Sequence, residues 1–83
     1  MGRGVSIVVS AFVFLECTAG RSKDVAKQIS SIPGVRLSHA VTGPHDIIAF
    51  VEGSDINTLG ITIISKIQAV SGVLHTTTNV VIE

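Results

Sequence analysis

The chain has 83 residues, six basic and six acidic side chains, no tryptophan or tyrosine, and one cysteine, Cys17. That length holds one domain, residues 1–83. The balanced charge and the lack of a Lys/Arg cluster argue against nucleic acid as a direct partner, and a lone cysteine excludes an intrachain disulfide.

The first apolar run, VSIVVSAFVFL at residues 5–15, is too short for a membrane helix, which takes about 20 residues. No small-residue cleavage pattern follows it, so a cytoplasmic protein without membrane attachment is expected. Its Val, Ile and Phe content predicts a strand over residues 5–16, with Val8, Phe12 and Phe14 on one side and Ile7, Val9 and Val13 on the other. Thr18, Ala19 and Gly20 break that strand. Ser22 is placed to cap a helix with Asp24 in its first turn. Val25, Ala26, Ile29 and Ile32 recur at helical steps, and Pro33 and Gly34 end the helix.

Alternation then predicts a strand from Val35 to Val41, with Val35, Leu37, His39 and Val41 on one face. A turn at TGPH follows, and a third strand from Asp46 to Glu52. Ser54 and Asp55 mark a second helix start. The stripe Ile56, Leu59, Ile63, Ile67 and Val70 fits a helix, although Gly60 and the β-branched residues around it make its intrinsic propensity weak. After Gly72, residues 73–82 read as a last strand. Ile29-x-x-Ile32-x-Gly34-Val35 recurs as Ile67-x-x-Val70-x-Gly72-Val73, 38 residues later. Two such halves give βαββαβ, the α+β ferredoxin-like sandwich with a four-stranded antiparallel sheet and both helices on one face. Both sides of the first and third strands are apolar. A lone chain this small buries only roughly 60% of its unfolded surface. A second copy packed sheet against sheet is the expected cover for the open face.

Few residues suggest chemistry. No Cys-x-x-Cys, paired metal-ligand spacing, Gly-x-Ser-x-Gly elbow or phosphate loop is present, so no metal, no cofactor and no catalytic residue are expected. The cluster in HAVTGPHDIIAF, residues 39–50, stands out. Gly43 and Pro44 suffice for a turn; His45 and Asp46 are not needed for one. In HTTTNV, Thr76 and Thr78 fall on one side of the last strand and Thr77 on the other. Asp46 can accept a hydrogen bond from an ammonium, and hydroxyls with backbone N–H groups can hold a carboxylate. That chemistry fits a small zwitterion.

Over nearly its whole length the sequence resembles the effector-binding domain of the leucine-responsive regulatory protein/AsnC family of transcriptional regulators, the RAM (regulation of amino acid metabolism) domain. The segments carrying the resemblance are AFVFLECTAG, VAKQISSIPGV, AVTGPHDIIAFVEGSD and GVLHTTTNVVIE. The most specific elements are Thr42-Gly43-x-x-Asp46 and Gly72-Val73-x-x-Thr76-x-Thr78. The resemblance implies an amino acid as small-molecule effector, held between subunits near the turn after the second strand. Thr42, Gly43, His45, Asp46, Thr76 and Thr78 are its expected ligand-binding residues, with His45 standing where that family commonly has tyrosine. It also implies a homodimer that assembles further, up to an octamer, and mixing with full-length regulators of the same family. Those regulators carry a helix-turn-helix for which this sequence has no room. Two other readings of the fold remain: a small dimeric α+β barrel enzyme of monooxygenase type using His39 or His75, and a purely structural oligomerisation domain.

Overall fold

The computed structural model of the chain describes residues 8–83. The predicted strand start at residue 5 and the side taken by Ile7 lie outside these residues. The elements are β1 (Val9–Cys17), α1 (Ser22–Ser30), β2 (Val35–Ala40), β3 (Ile47–Gly53), a π-helical segment (Thr58–Ile64) running into α2 (Ser65–Gln68), and β4 (Val73–Val80). The four strands form one antiparallel sheet in the order β2-β3-β1-β4. This is the expected βαββαβ ferredoxin-like arrangement. The apolar N-terminal run supplies a central strand, and no helix among the described residues is long and apolar enough to cross a membrane.

Alternation along β1 and β3 sorts the sheet into two faces. Ala11, Val13, Leu15 and Cys17 of β1 and Ile47, Ala49 and Val51 of β3 are buried with Val25, Ala26 and Ile29 of α1 and with Leu59, Ile63, Ile64 and Ile67 of the second helical stretch. On the other face Phe12 pairs with Phe50, and Phe14 with Ile48. The Phe12 and Phe50 rings lie 4.8 Å apart. Among the described residues no helix covers this face. Phe12 is 42% exposed and Leu37 on β2 is 49% exposed.

The internal repeat is a repeated turn. Val35 N–H donates to Ile32 O at 3.0 Å, and Val73 N–H to Val70 O at 3.1 Å. Gly34 and Gly72 adopt φ of 98° and 99°, a region that L side chains enter only at a cost. Each glycine carbonyl accepts a backbone N–H at 2.8 Å, Gly34 from Glu52 in β3 and Gly72 from Thr18 just past the end of β1. The two halves are thus tied into the sheet in the same way.

Local features differ from the sequence expectations. Ser22 opens α1 without capping it: the N-cap position is Arg21, and no side chain caps the helix. Asp24 instead pairs with Arg21 at 2.9 Å and accepts from Gln28 Nε2 at 3.1 Å. A register shift between Val35 and Leu37 breaks strict alternation in β2. Val35 lies opposite Val51 and packs on the core, while Leu37 and His39 lie opposite Phe50 and Ile48 on the open face. The second helix is π-helical over seven residues. Its wider turn brings Ile63 and Ile64 inward together and leaves Ile56 at 58% exposure, outside the predicted stripe.

Candidate functional site

The turn joining β2 to β3 is pinned from three sides. Val41 N–H donates to Asp46 O at 2.9 Å, closing the turn, and Asp46 N–H donates to Leu15 O at 2.9 Å, fastening it to β1. Cys17 N–H donates to Asp46 Oδ2 at 2.9 Å, so the carboxylate supplies the acceptor that the end of β1 needs. A carboxylate offers about four acceptor positions, and this bond takes one. Gly43 has φ 118°, and a side chain added there would meet nothing within 4 Å. Its role is conformational, and the space beside the turn is open. Thr42, Gly43 and Pro44 are exposed, whereas His45 and Asp46 are half-buried.

His45 folds back over the open sheet face. Its ring stacks on Phe14 with centroids 5.0 Å apart and planes 21° from parallel. Its Nδ1 is closed to solvent and has no hydrogen-bond partner among the described residues. Cys17 lies on the helix side of the same strand end. Burial pushes its thiol above the ordinary value and the Asp46 carboxylate adds to this, with Arg21 acting in the opposite sense. The thiol is therefore held protonated, the opposite of what a reactive cysteine needs.

The two threonines of the motif sit apart from the turn. Thr76 pairs with Leu15 and Thr78 with Val13, which places both on the helix side of the sheet. The Thr76 hydroxyl accepts from Gln68 Nε2 at 2.9 Å, a bond to α2, while Thr78 is exposed. Strand β1 stands between β3 and β4, about 10 Å of sheet width at two strand spacings. Within one chain the fold gathers Thr42, Gly43, His45 and Asp46 and leaves Thr76 and Thr78 separate. Thr77, opposite Phe14, is the β4 hydroxyl on the face that carries His45.

Three participants were not singled out from the sequence. Phe14 as the platform for His45 and Thr77 as its open-face neighbour were both implied by the two-residue alternation of β1 and β4. The Cys17 N–H as partner of Asp46 had no local signal, since 29 residues separate the two. The alternative enzymatic candidates are not assembled either. His39 and His75 lie on the open face opposite Ile48 and Glu16, on the two edge strands. Among the described residues no group of three or more His, Cys, Asp or Glu converges on a metal position.

Comparison with known proteins agrees with this architecture. The chain is 32% identical over 59 residues to the HTH-type transcriptional regulator LysM of Saccharolobus solfataricus, covering 71% of this chain and 41% of that protein. It is 34% identical over 76 residues to homocitrate synthase of Sulfurisphaera tokodaii, covering 90% of this chain but 16% of the enzyme. The chain thus spans well under half of the curated relatives it matches. Among solved structures, TTHA0845 from Thermus thermophilus superposes with a TM-score of 0.82 at 28% identity, covering 90% of this chain and 94% of that one. The Neisseria meningitidis transcriptional regulator NMB0573, solved with L-Met, shares the fold at a TM-score of 0.77 and 19% identity, with 90% of this chain aligned to 50% of it. The family model described as Lrp/AsnC ligand binding domain matches residues 10–83, and the chain belongs to that family.

Proposed function

We propose that residues 1–83 form one regulatory module that binds an amino acid at a site shared between copies of the chain, without catalysing a reaction. The observation that carries this reading is the pinned turn. Asp46 is held by Leu15 and Cys17 with most of its acceptor capacity free, beside the open space at Gly43. Asp46 receives the ligand's ammonium, Thr42 and the turn's backbone N–H groups flank it, and hydroxyls of β4 hold the carboxylate. Because Thr76 and Thr78 lie on the helix side, away from the turn, they would come from another copy. The uncovered apolar face around Phe12, Phe50 and Leu37 favours a sheet-to-sheet homodimer, which assembles further, to an octamer. Mixing with full-length cytoplasmic regulators of the family would give the module its link to transcription. It would make no direct contact with nucleic acid or membrane. The likeness to part of a homocitrate synthase favours a second reading of the partner: a biosynthetic enzyme that the module regulates.

A thermal-unfolding screen against the twenty amino acids tests the function. A ligand at one hundred times its Kd stabilises the folded state by about 2.7 kcal/mol, a midpoint shift of roughly 11–22 °C for a domain of this size. A shift with one or a few amino acids is expected. No shift with any of them contradicts the reading and leaves a structural oligomerisation domain.

A further inference from the structure

We propose that His45 selects the side chain of the ligand, and that the chain takes an amino acid whose side chain ends in a hydrogen-bond acceptor. This rests on the amino-acid reading above and adds the class of ligand to it. The two ring nitrogens of His45 differ in their surroundings. The stack on Phe14, 5.0 Å between centroids and 21° between planes, fixes the ring and covers one of its faces. Nδ1 is shut off from solvent without a partner among the described residues. A buried N–H with no acceptor is a rarer and costlier defect than an unused acceptor lone pair, so the proton of the neutral ring belongs on Nε2. His45 therefore carries its donor on Nε2, the ring nitrogen opposite the closed-off Nδ1.

That donor stands one residue from Asp46, the expected ammonium partner. The two residues are adjacent and both half-buried, and a ligand anchored on Asp46 by its ammonium would carry its side chain toward the stacked pair. An aliphatic side chain would cover the Nε2–H and leave it unpaired, whereas a carbonyl oxygen pairs it. The neighbouring charges sharpen the choice. Asp46 lies at this end of the sheet, and Glu16 lies two residues beyond Phe14 on the same face, opposite His75. Two carboxylates disfavour a third, so an uncharged amide is the preferred acceptor.

Isothermal titration of the full chain with L-asparagine, L-glutamine, L-aspartate, L-glutamate, L-leucine and L-methionine tests this. The expected result is an amide ligand bound roughly tenfold more tightly than its apolar counterpart of similar size, the worth of one hydrogen bond, and more tightly than its carboxylate analogue. His45→Phe keeps the stack and removes the donor, so it should bring the amide and apolar ligands to within about twofold. An apolar ligand bound as well as the amides by the wild type, or a ratio unchanged in His45→Phe, overturns the proposal while leaving amino-acid binding intact. Tighter binding of the carboxylates overturns the preference for an amide. If none of the six ligands binds, this proposal falls; whether the wider function falls with it is decided by the twenty-amino-acid screen. Nitrogen-15 spectra of the wild type, which need no variant to fold, should show the Nε2–H tautomer at His45 and a movement of that resonance on adding the amide ligand but not L-leucine. An Nδ1–H tautomer overturns the proposal.

Discussion

Asp46 has two separable roles, and substitutions there should affect stability and binding by different amounts. Its Oδ2 accepts the Cys17 N–H at 2.9 Å in a part-buried setting. A hydrogen bond to a charged group contributes about 1.5–3 kcal/mol. Partial exposure favours the lower end, so Asp46→Ala should cost about 2 kcal/mol and lower the unfolding midpoint by roughly 8–16 °C. Asp46→Asn keeps a carbonyl oxygen for the same N–H. A neutral bond is worth about 1 kcal/mol, so about half the stability should return. Binding should not recover in parallel, because both variants lack the charge that meets the ammonium. Each should lose roughly tenfold to a hundredfold in affinity. Scanning calorimetry reads the first quantity and isothermal titration the second. A further readout comes from Cys17: its thiol is raised partly by the Asp46 carboxylate, so removing the charge should speed its alkylation at mildly alkaline pH. An Asp46→Ala protein with unchanged midpoint and unchanged affinity would refute both roles.

Three other outcomes follow from local geometry. Gly34→Ala should destabilise by about 2–5 kcal/mol, combining a left-handed backbone with overpacking, because the new Cβ would lie 2.5 Å from Ile63 Cδ1 and 3.1 Å from Glu52 O; Gly43→Ala, strained but uncrowded, should cost about 1–3 kcal/mol, and equal denaturant midpoints for the two would contradict the packing account. Asp55 accepts the Thr58 N–H at 2.6 Å, and that bond first of all holds its carboxyl below the ordinary value. Its contribution is therefore present above the unfolded carboxylate range and is lost as pH falls through the depressed folded value, so Asp55→Asn should flatten the acid limb of stability against pH; identical acid limbs would count against the cap. Ser38 Oγ is buried without a partner among the described residues, so Ser38→Ala should be neutral or stabilising by about 1 kcal/mol in chemical denaturation, and a loss of that size would mean the hydroxyl has a partner in solution.

The fold was legible because three signals agreed: alternating apolar strands, a helical stripe at Val25, Ala26 and Ile29, and the Gly34/Gly72 repeat, whose hydrogen bonds are the same in both copies. What escaped the sequence was local. Strict alternation put Val35 and Leu37 on one face, but a register shift separates them, and a bulge leaves no mark in hydrophobicity. The π-turn over Thr58–Ile64, which buries Ile64 beside Ile63 and leaves Ile56 exposed, carries no mark in a pattern read at 3.6-residue steps. In the site, TGPHD located the turn correctly because Gly43 supplies its positive φ and Asp46 closes it through its own N–H and C=O. The relation of that turn to Thr76 and Thr78 was not legible, because it depends on which strand stands between them and on which face each hydroxyl takes.

In this reading one chain holds only half of the ligand site, and titration of the bound amino acid into a monomeric variant is the sharpest test of that division. Leu37 is 49% exposed on the open face, so Leu37→Glu should break a sheet-to-sheet dimer, and with it the larger assembly of dimers that would bring another copy's Thr76 and Thr78 to the turn, with little cost to the isolated fold. If β4 hydroxyls from another copy hold the ligand's carboxylate, the monomer forfeits two neutral hydrogen bonds, about 2 kcal/mol, and affinity should fall roughly thirtyfold. A folded Leu37→Glu monomer that binds the amino acid with wild-type affinity would contradict the shared site.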